Sequence, residues 1–160
     1  MLEQLVQGGI KDPCVIAAMT EVPHELFGPI ARPCALARMI EALRLGPDDR
    51  VLEIGTGSGY TTAVLSQLAA HVYSVDRDVE RTRSARARLA ALGYDGIDIR
   101  CGEGALGWPE HTPFDAIIVL CDLPGPPRAL FDQLAAGGRI VRLPGNNART
   151  VPVVRAHDTA

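Results

Sequence analysis

Acidic side chains and a run of glycines recur along this chain at intervals that suit the capture of a nucleoside. The stretch Val51-Leu52-Glu53-Ile54-Gly55-Thr56-Gly57-Ser58-Gly59-Tyr60 ends an apolar run in an acidic residue, then sets three glycines at alternate positions. Glycine has no Cβ, so such a turn adopts positive φ and lets a ligand approach the main chain. Placed after a first parallel strand, it builds a nucleotide-type site at the mouth of a doubly wound sheet. The spacing is G-x-G-x-G, which differs from the G-x-G-x-x-G of dinucleotide binders. Asp76, followed by Arg77, lies 23 residues after Glu53. At about that offset a carboxylate can accept from both hydroxyls of a ribose. Asp76 is also in place to cap the helix expected from Val79, and the two roles are compatible. Glu103 stands between Gly102 and Gly104 after a later strand. It can approach an adenine edge together with the adjacent main-chain N–H, or serve only as a turn residue.

The elements that must position these residues follow from period and punctuation. Helical pieces are expected over residues 1–7 and 13–19, the second with Asp12 as N-cap and Pro13 in its first turn. A third runs from 33 to 45 with Leu36, Met39, Ile40 and Leu43 on one face. Gly46-Pro47-Asp48-Asp49 signals a turn. Strands then alternate with helices: strand 51–54, helix 60–70, strand 71–75, helix 79–92 closed by Gly93, and strand 96–100. Strand 115–120 follows, then a helix over 127–134 stopped by Gly137-Gly138, and strand 139–143. The turn 144–147 leads as a hairpin into 150–154. Such alternation implies a mainly parallel sheet with right-handed crossovers.

Composition narrows the setting. A chain of 160 residues, 47% of them hydrophobic, reads as a single domain, 1–160. Residues 1–45 form its helical segment and 46–160 its α/β core. No run approaches the ~18 to 20 apolar residues of a membrane span, and Met1-Leu2-Glu3-Gln4 lacks a signal-peptide pattern. Cys14, Cys34, Cys101 and Cys121 are scattered without a C-x-x-C pair. Buried reduced thiols in a cytoplasmic protein are therefore expected, with neither a metal centre nor disulfides. A net charge of −3 argues against nucleic acid as partner. The arginines between 77 and 88 read as a solvated helix face. His24, His71, His111 and His157 read as structural or solvated.

The glycine loop resembles the S-adenosylmethionine (SAM) loop of Rossmann-like methyltransferases. Longer runs carry a more specific resemblance: Glu103-Gly104-Ala105-Leu106-Gly107-Trp108-Pro109, Ala116-Ile117-Ile118-Val119, and Leu130-Phe131-Asp132-Gln133-Leu134-Ala135-Ala136-Gly137-Gly138-Arg139-Ile140-Val141. With Leu5-Val6-Gln7-Gly8-Gly9-Ile10-Lys11-Asp12-Pro13 and Val22-Pro23-His24-Glu25-Leu26-Phe27, they match the protein-L-isoaspartate O-methyltransferases in order and spacing. The resemblance covers residues 1 to about 155. It implies a Rossmann-like SAM-dependent methyltransferase fold: a mainly parallel sheet, a C-terminal antiparallel hairpin and N-terminal helices. It also implies O-methylation of a carboxylate from SAM. Gly55, Gly57 and Gly59, with Thr56, Ser58 and Tyr60, would shape the loop around the methionine end, and Glu53 would order it. Asp76 with Arg77 would hold the ribose, and Gly102-Glu103-Gly104 would border adenine.

The chain departs from that family in two places. The family carries a substrate loop ending in a T-I-S-Q-P-like sequence whose serine sits beside the methyl donor. Here Phe27-Gly28-Pro29 runs almost directly into Ile30-Ala31-Arg32-Pro33, and the serine position is Ala31. Simple isoaspartyl peptides are then expected to be poor substrates. Asp122 stands where the family usually has small residues, facing the transferred methyl. It is the candidate catalytic residue, able to orient a hydroxyl or amine or take its proton; a helix cap is the plain alternative. An acceptor carboxylate is ionised at neutral pH and needs no base, whereas an amine or alcohol usually does. The acceptor is thus a peptide or protein carboxylate, or alternatively a small metabolite or peptide natural product. A non-catalytic SAM-binding module is the remaining alternative. An NAD-dependent oxidoreductase fits worst, since Lys11 is the only lysine and the glycine spacing differs. The short strand near 151–154, with Pro152 in it, is an edge at which copies of the chain could self-associate.

Overall fold

The computed structural model describes residues 1–123 and 128–142, and the backbone of 153–156. Three helices come first, α1 (Leu2–Gln7), α2 (Pro13–Glu21) and α3 (Pro33–Leu43). Asp12 caps α2 by accepting from the N–H groups of Cys14 and Val15, a placement that Asp-Pro at a helix start favours. The α/β part runs β1 (Arg50–Ile54), α4 (Tyr60–Ser66), β2 (His71–Asp76), α5 (Val79–Ala91) and β3 (Ile97–Cys101). It continues with β4 (Phe114–Val119), α6 (Arg128–Phe131), β5 (Leu134–Arg142) and β6 (Val153–Ala156).

These strands form one sheet in the order β3-β2-β1-β4-β5-β6. The first five are parallel, and β6 lies antiparallel to β5, with Arg142 opposite Val153. The turn expected at 144–147 and the strand start at 150–152 lie outside the described residues. The order reverses direction between β1 and β4. At such a switch point, loops from the two neighbouring strand ends part and leave a crevice.

Both faces of the parallel strands are buried, as this class of sheet requires. On one face Val51, Val72, Ala116, Ile118 and Val141 share a core with residues of α1 to α5, among them Leu5, Met19, Ile40 and Leu65. The other face carries Leu52, Ile54, Val75, Phe114 and Ile117, covered by Leu130 of α6 with Trp108, Leu123 and Phe131. Residues 104–111, two short 3-10 turns, complete this second cover. Tyr73 stacks on His111 at 4.5 Å and meets Trp108 edge-on at 5.7 Å. Arg50 donates to the carbonyls of His111 and Pro113, at 2.7 and 3.0 Å.

Several sequence expectations shift. Helix α4 ends at Ser66, not at 70, because its last turn tightens through Gln67 and Leu68 N–H bonds to Val64 and Leu65 and the Ala70 N–H turns to Asp49. The left-handed Arg44 ends α3 at Leu43 rather than 45. Leu134 belongs to β5, and Gly137-Gly138 is inside that strand instead of stopping a helix. Between Phe114↔Leu134 and Ala116↔Arg139 the pairing advances two residues on β4 but five on β5. The excess is absorbed at Gly137, with φ of +73°, and at Gly138, where a Cβ would lie 2.8 Å from the Ala135 carbonyl oxygen. The cap of α5 is Asp78, which accepts from Glu80 and Arg81 N–H, and not Asp76. The thiols are free, but Cys14, Cys101 and Cys121 are exposed and only Cys34 is partly covered. Neither is the arginine run wholly solvated: Arg86 donates to the Ile99 carbonyl, and Arg88 to that of Ser58 at 2.8 Å.

Candidate cofactor site at the sheet switch point

The crevice between the β1 and β4 ends is a cavity of about 530 Å³. Its walls bring together Gly55, Gly57, Asp76, Arg77, Glu103 and Asp122, with Gly104 and Cys121 alongside. All stand at C-terminal strand ends: Gly55 and Gly57 after β1, Asp76 and Arg77 on and after β2, Glu103 after β3, and Asp122 after β4. Gly55 has φ of +101°, and a Cβ there would lie 3.5 Å from Leu120 and Cys121. Gly59, the left-handed N-cap of α4, would bring a Cβ to 3.3 Å from Ala85 and Leu89 of α5. The loop is therefore pressed against neighbours at both of its ends, Gly55 and Gly59.

Asp76 fastens this loop. One carboxylate oxygen accepts the Gly57 N–H at 3.0 Å and the other the Asp78 N–H at 3.0 Å. Each oxygen keeps a further lone pair. Behind the loop, Glu53 is fully buried. Its Oε2 accepts from the hydroxyls of Thr62, at 2.5 Å, and Ser74, at 2.6 Å. The Ser74 proton is thus committed, so the Thr56 hydroxyl, 2.6 Å away, is the donor to Ser74. Burial raises the Glu53 pKa to about 7; the Ser74 and Thr62 bonds pull it down and the Asp76 charge pushes it up. Its Oε1 has no partner among the described residues.

Other expected residues stand apart from the cavity. Ser58 is exposed. The Gly102 N–H bonds the Asp76 carbonyl at 2.9 Å, which carries the chain past β3 to the rim. Tyr60 points into the core, where its hydroxyl donates to the Met19 carbonyl at 2.8 Å. Burial, then the neighbouring Tyr94, pushes its pKa up to about 12. Ala31 is exposed and does not line the cavity. Glu103 and Asp122 are exposed at the rim. Burial first, and then mainly Asp76, raises the Cys121 pKa, so the wall offers no thiolate at neutral pH. Sequence reasoning missed Thr62 and Ser74, although a lone hydroxyl in the apolar run 72–75 was a signal. It also missed Arg81 and Leu123 on the wall. Turn N–H groups, a carboxylate beside them and a second acidic group at the rim share one crevice.

The chain is similar in sequence and fold to known proteins. The family model described as Protein-L-isoaspartate(D-aspartate) O-methyltransferase matches residues 28–158. The chain is 47% identical to Protein-L-isoaspartate O-methyltransferase 2 of Pelobacter propionicus, over 87% of this chain and 71% of that protein. It is 45% identical to the Protein-L-isoaspartate O-methyltransferase of a Synechococcus species, over 87% of this chain and 65% of that protein. A solved protein-L-isoaspartate O-methyltransferase superposes with a TM-score of 0.85 at 26% identity, over 99% of this chain and 60% of that one. The chain thus spans about two thirds of the length of these relatives.

The Glu53 carboxyl has a testable pH signature. Its pKa in the fold, near 7, exceeds the ordinary 4.5, so the folded state binds the proton more tightly than the unfolded chain. The stability it contributes is full below pH 4.5 and is lost as pH rises to 7. Relative to Glu53→Gln, which mimics the protonated acid, the native chain should lose on the order of 1 to 3 kcal/mol between those pH values. Urea unfolding of both proteins across the range measures this, and parallel curves would refute it.

Proposed function

The chain belongs to the protein-L-isoaspartate O-methyltransferase family, SAM-dependent O-methyltransferases, and on that premise we propose that it methylates a carboxylate, the isoaspartyl side chain of a peptide or protein. The observation that carries this reading is the Gly55–Gly59 loop fastened through its Gly57 N–H to Asp76, with Glu103 across the same cavity. The residues fit SAM. About 530 Å³ suits a ligand of this size, and Gly55 and Gly57 of the glycine turn face that space. When bound, SAM would supply an electrophilic methyl group on a sulfonium, with the neutral thioether S-adenosylhomocysteine as the leaving group once the methyl passes to an acceptor oxygen.

The chain's own residues then position and hold. Gly55 and Gly57 shape the methionine end, while Thr56, Ser58, Gly59 and Tyr60 hold that turn from outside the cavity. Glu53 orders that turn through the Ser74–Thr56 hydroxyl pair. Asp76 grips the ribose diol with the lone pairs that Gly57 and Asp78 leave, and Arg77 flanks it. Gly102, Glu103 and Gly104 border adenine. Because an acceptor carboxylate is already ionised, Asp122 acts by accepting a peptide N–H of the acceptor, not by removing a proton. Positioning supplies much of the acceleration in such a displacement. Residues 1–45 and 46–160 are one methyltransferase domain in this reading. Free thiols fit the cytoplasm, and a net charge of −3 favours a peptide partner over nucleic acid. No helix among the described residues is long and apolar enough to cross a membrane.

Three measurements test the proposal. Asp76→Ala should weaken SAM binding by about 1 to 3 kcal/mol in calorimetry; unchanged affinity in a folded variant removes the ribose assignment.

Methyl-ester formation on an isoaspartyl peptide, against its aspartyl counterpart, tests the acceptor. Ester is expected only on the isoaspartyl peptide. Its rate should fall below about 1 s⁻¹, the low end for enzymes, because no loop closes over Ala31. Asp122→Ala, which removes the acceptor, should slow that transfer. No ester from a chain that binds SAM overturns the acceptor class, and a fast rate overturns the loop argument.

Light scattering across a concentration series tests self-association along β6, the outer strand of the sheet. A mass that grows with concentration is expected, and a strict monomer at high micromolar concentration overturns it.

A further inference from the structure

Between Gly102 and Thr112 the chain leaves the sheet, yet it carries Glu103 and Gly104 to the cavity rim. Side chains must hold it there. The main contributor is Gln133, 6% exposed, between α6 and β5. Its amide bonds the segment twice: Nε2 donates to the Leu106 carbonyl at 2.8 Å, and Oε1 accepts the Trp108 N–H at 2.8 Å. The amide thus pairs across Gly107 as a neighbouring strand would. Gly107 has φ of +61°, and a Cβ on it would lie 2.2 Å from Gln133 Oε1; the amide lies flat against the glycine. Gln133 is itself fixed, its N–H bonding Leu130 and its carbonyl accepting the Phe114 N–H at 2.8 Å. From the opposite side Arg100 donates to the Gly107 carbonyl at 2.7 Å and lies over the Trp108 ring at 4.7 Å.

The clamp reaches the rim through a short rigid path. Leu106 N–H bonds the Glu103 carbonyl, and Gly107 N–H bonds that of Gly104, both at 3.1 Å. A shift at Leu106–Trp108 therefore moves Glu103 and Gly104 as one turn. Inward movement is blocked, since a Cβ on Gly104 would already lie 2.5 Å from Ile54. Outward movement is what the clamp prevents. We propose that Gln133 is the positioning residue of the adenine subsite, setting the height of the Glu103–Gly104 main chain and hence how an adenine edge is read. This rests on the SAM reading above. Gln133 does not line the cavity, so its effect on a ligand passes through the segment it holds.

Calorimetry on the full chain with S-adenosylhomocysteine and with its inosine analogue, whose 6-amino group is replaced by oxygen, tests the assignment. Gln133→Met keeps the shape and removes both bonds; Gln133→Asn, one methylene shorter, is the milder variant, an uncharged amide that cannot reach both partners at once. The native chain should prefer the adenine ligand. Gln133→Met should lose about tenfold in that affinity and change by less than about threefold toward the inosine analogue, so that discrimination falls. Gln133→Asn should lie between. Unchanged affinity in either folded variant, or an equal loss for both ligands as a merely structural role would give, overturns the inference. A native chain that binds neither ligand overturns the SAM reading beneath it.

Discussion

A carboxyl group with no access to water sits at the centre of the sheet, and much of the cofactor site hangs from it. Glu53 joins β1 to α4 through Thr62, to β2 through Ser74, and by way of Ser74 to Thr56 in the glycine turn. Burying an acid is expensive unless hydrogen bonds compensate, and here two donors converge on one oxygen while the other has no described partner. The resulting shift toward neutral pH is the mark of incomplete compensation. An apolar residue of similar size would remove that cost, but it would also leave the Ser74 and Thr62 hydroxyls without the acceptor they share. The Thr56 hydroxyl would still reach Ser74, but Ser74 would have lost the acceptor that orients it.

From that anchor the rest of the site follows by topology. Strand order alone opens the crevice between β1 and β4, and the consecutive strand ends deliver Asp76, Glu103 and Asp122 to its rim. The two faces of the sheet are covered unequally. Helices α1 to α5 close one face, whereas the other depends on a four-residue helix and on residues 104–111, held by Arg50, Arg100 and Gln133. Side-chain hydrogen bonds do there what helix packing does opposite.

Much of this was legible in the sequence where the signal was local. Asp12-Pro13 marked a helix start, alternation of apolar runs with helical periods marked the parallel strands, and the glycine spacing marked the turn after β1. What was not legible depended on partners distant in the chain. Gly137-Gly138 reads as a helix stop because its cause, the register of β5 against β4, is tertiary. Gln133 looks like any polar residue near a helix end, since both of its amide partners lie about 25 positions away. Thiol exposure likewise hinges on which strand ends meet solvent. Asp76 resembles a cap by its position, but it ends β2, and Asp78, directly before Val79, reaches the first free N–H groups of α5.

The strand order also bears on how the chain is made. Central strand β1 pairs with β2 soon after it, but its other neighbour is β4, with Val51 opposite Ala116. At a synthesis rate of about 5 to 20 residues per second, several seconds pass before that second partner exists. During that interval Leu52 and Ile54, fully buried in the end, belong to a strand with a bare edge. The reversal that opens the crevice in the finished fold therefore leaves the nascent chain with an unpaired apolar strand, whose edge is covered only once β4 is made.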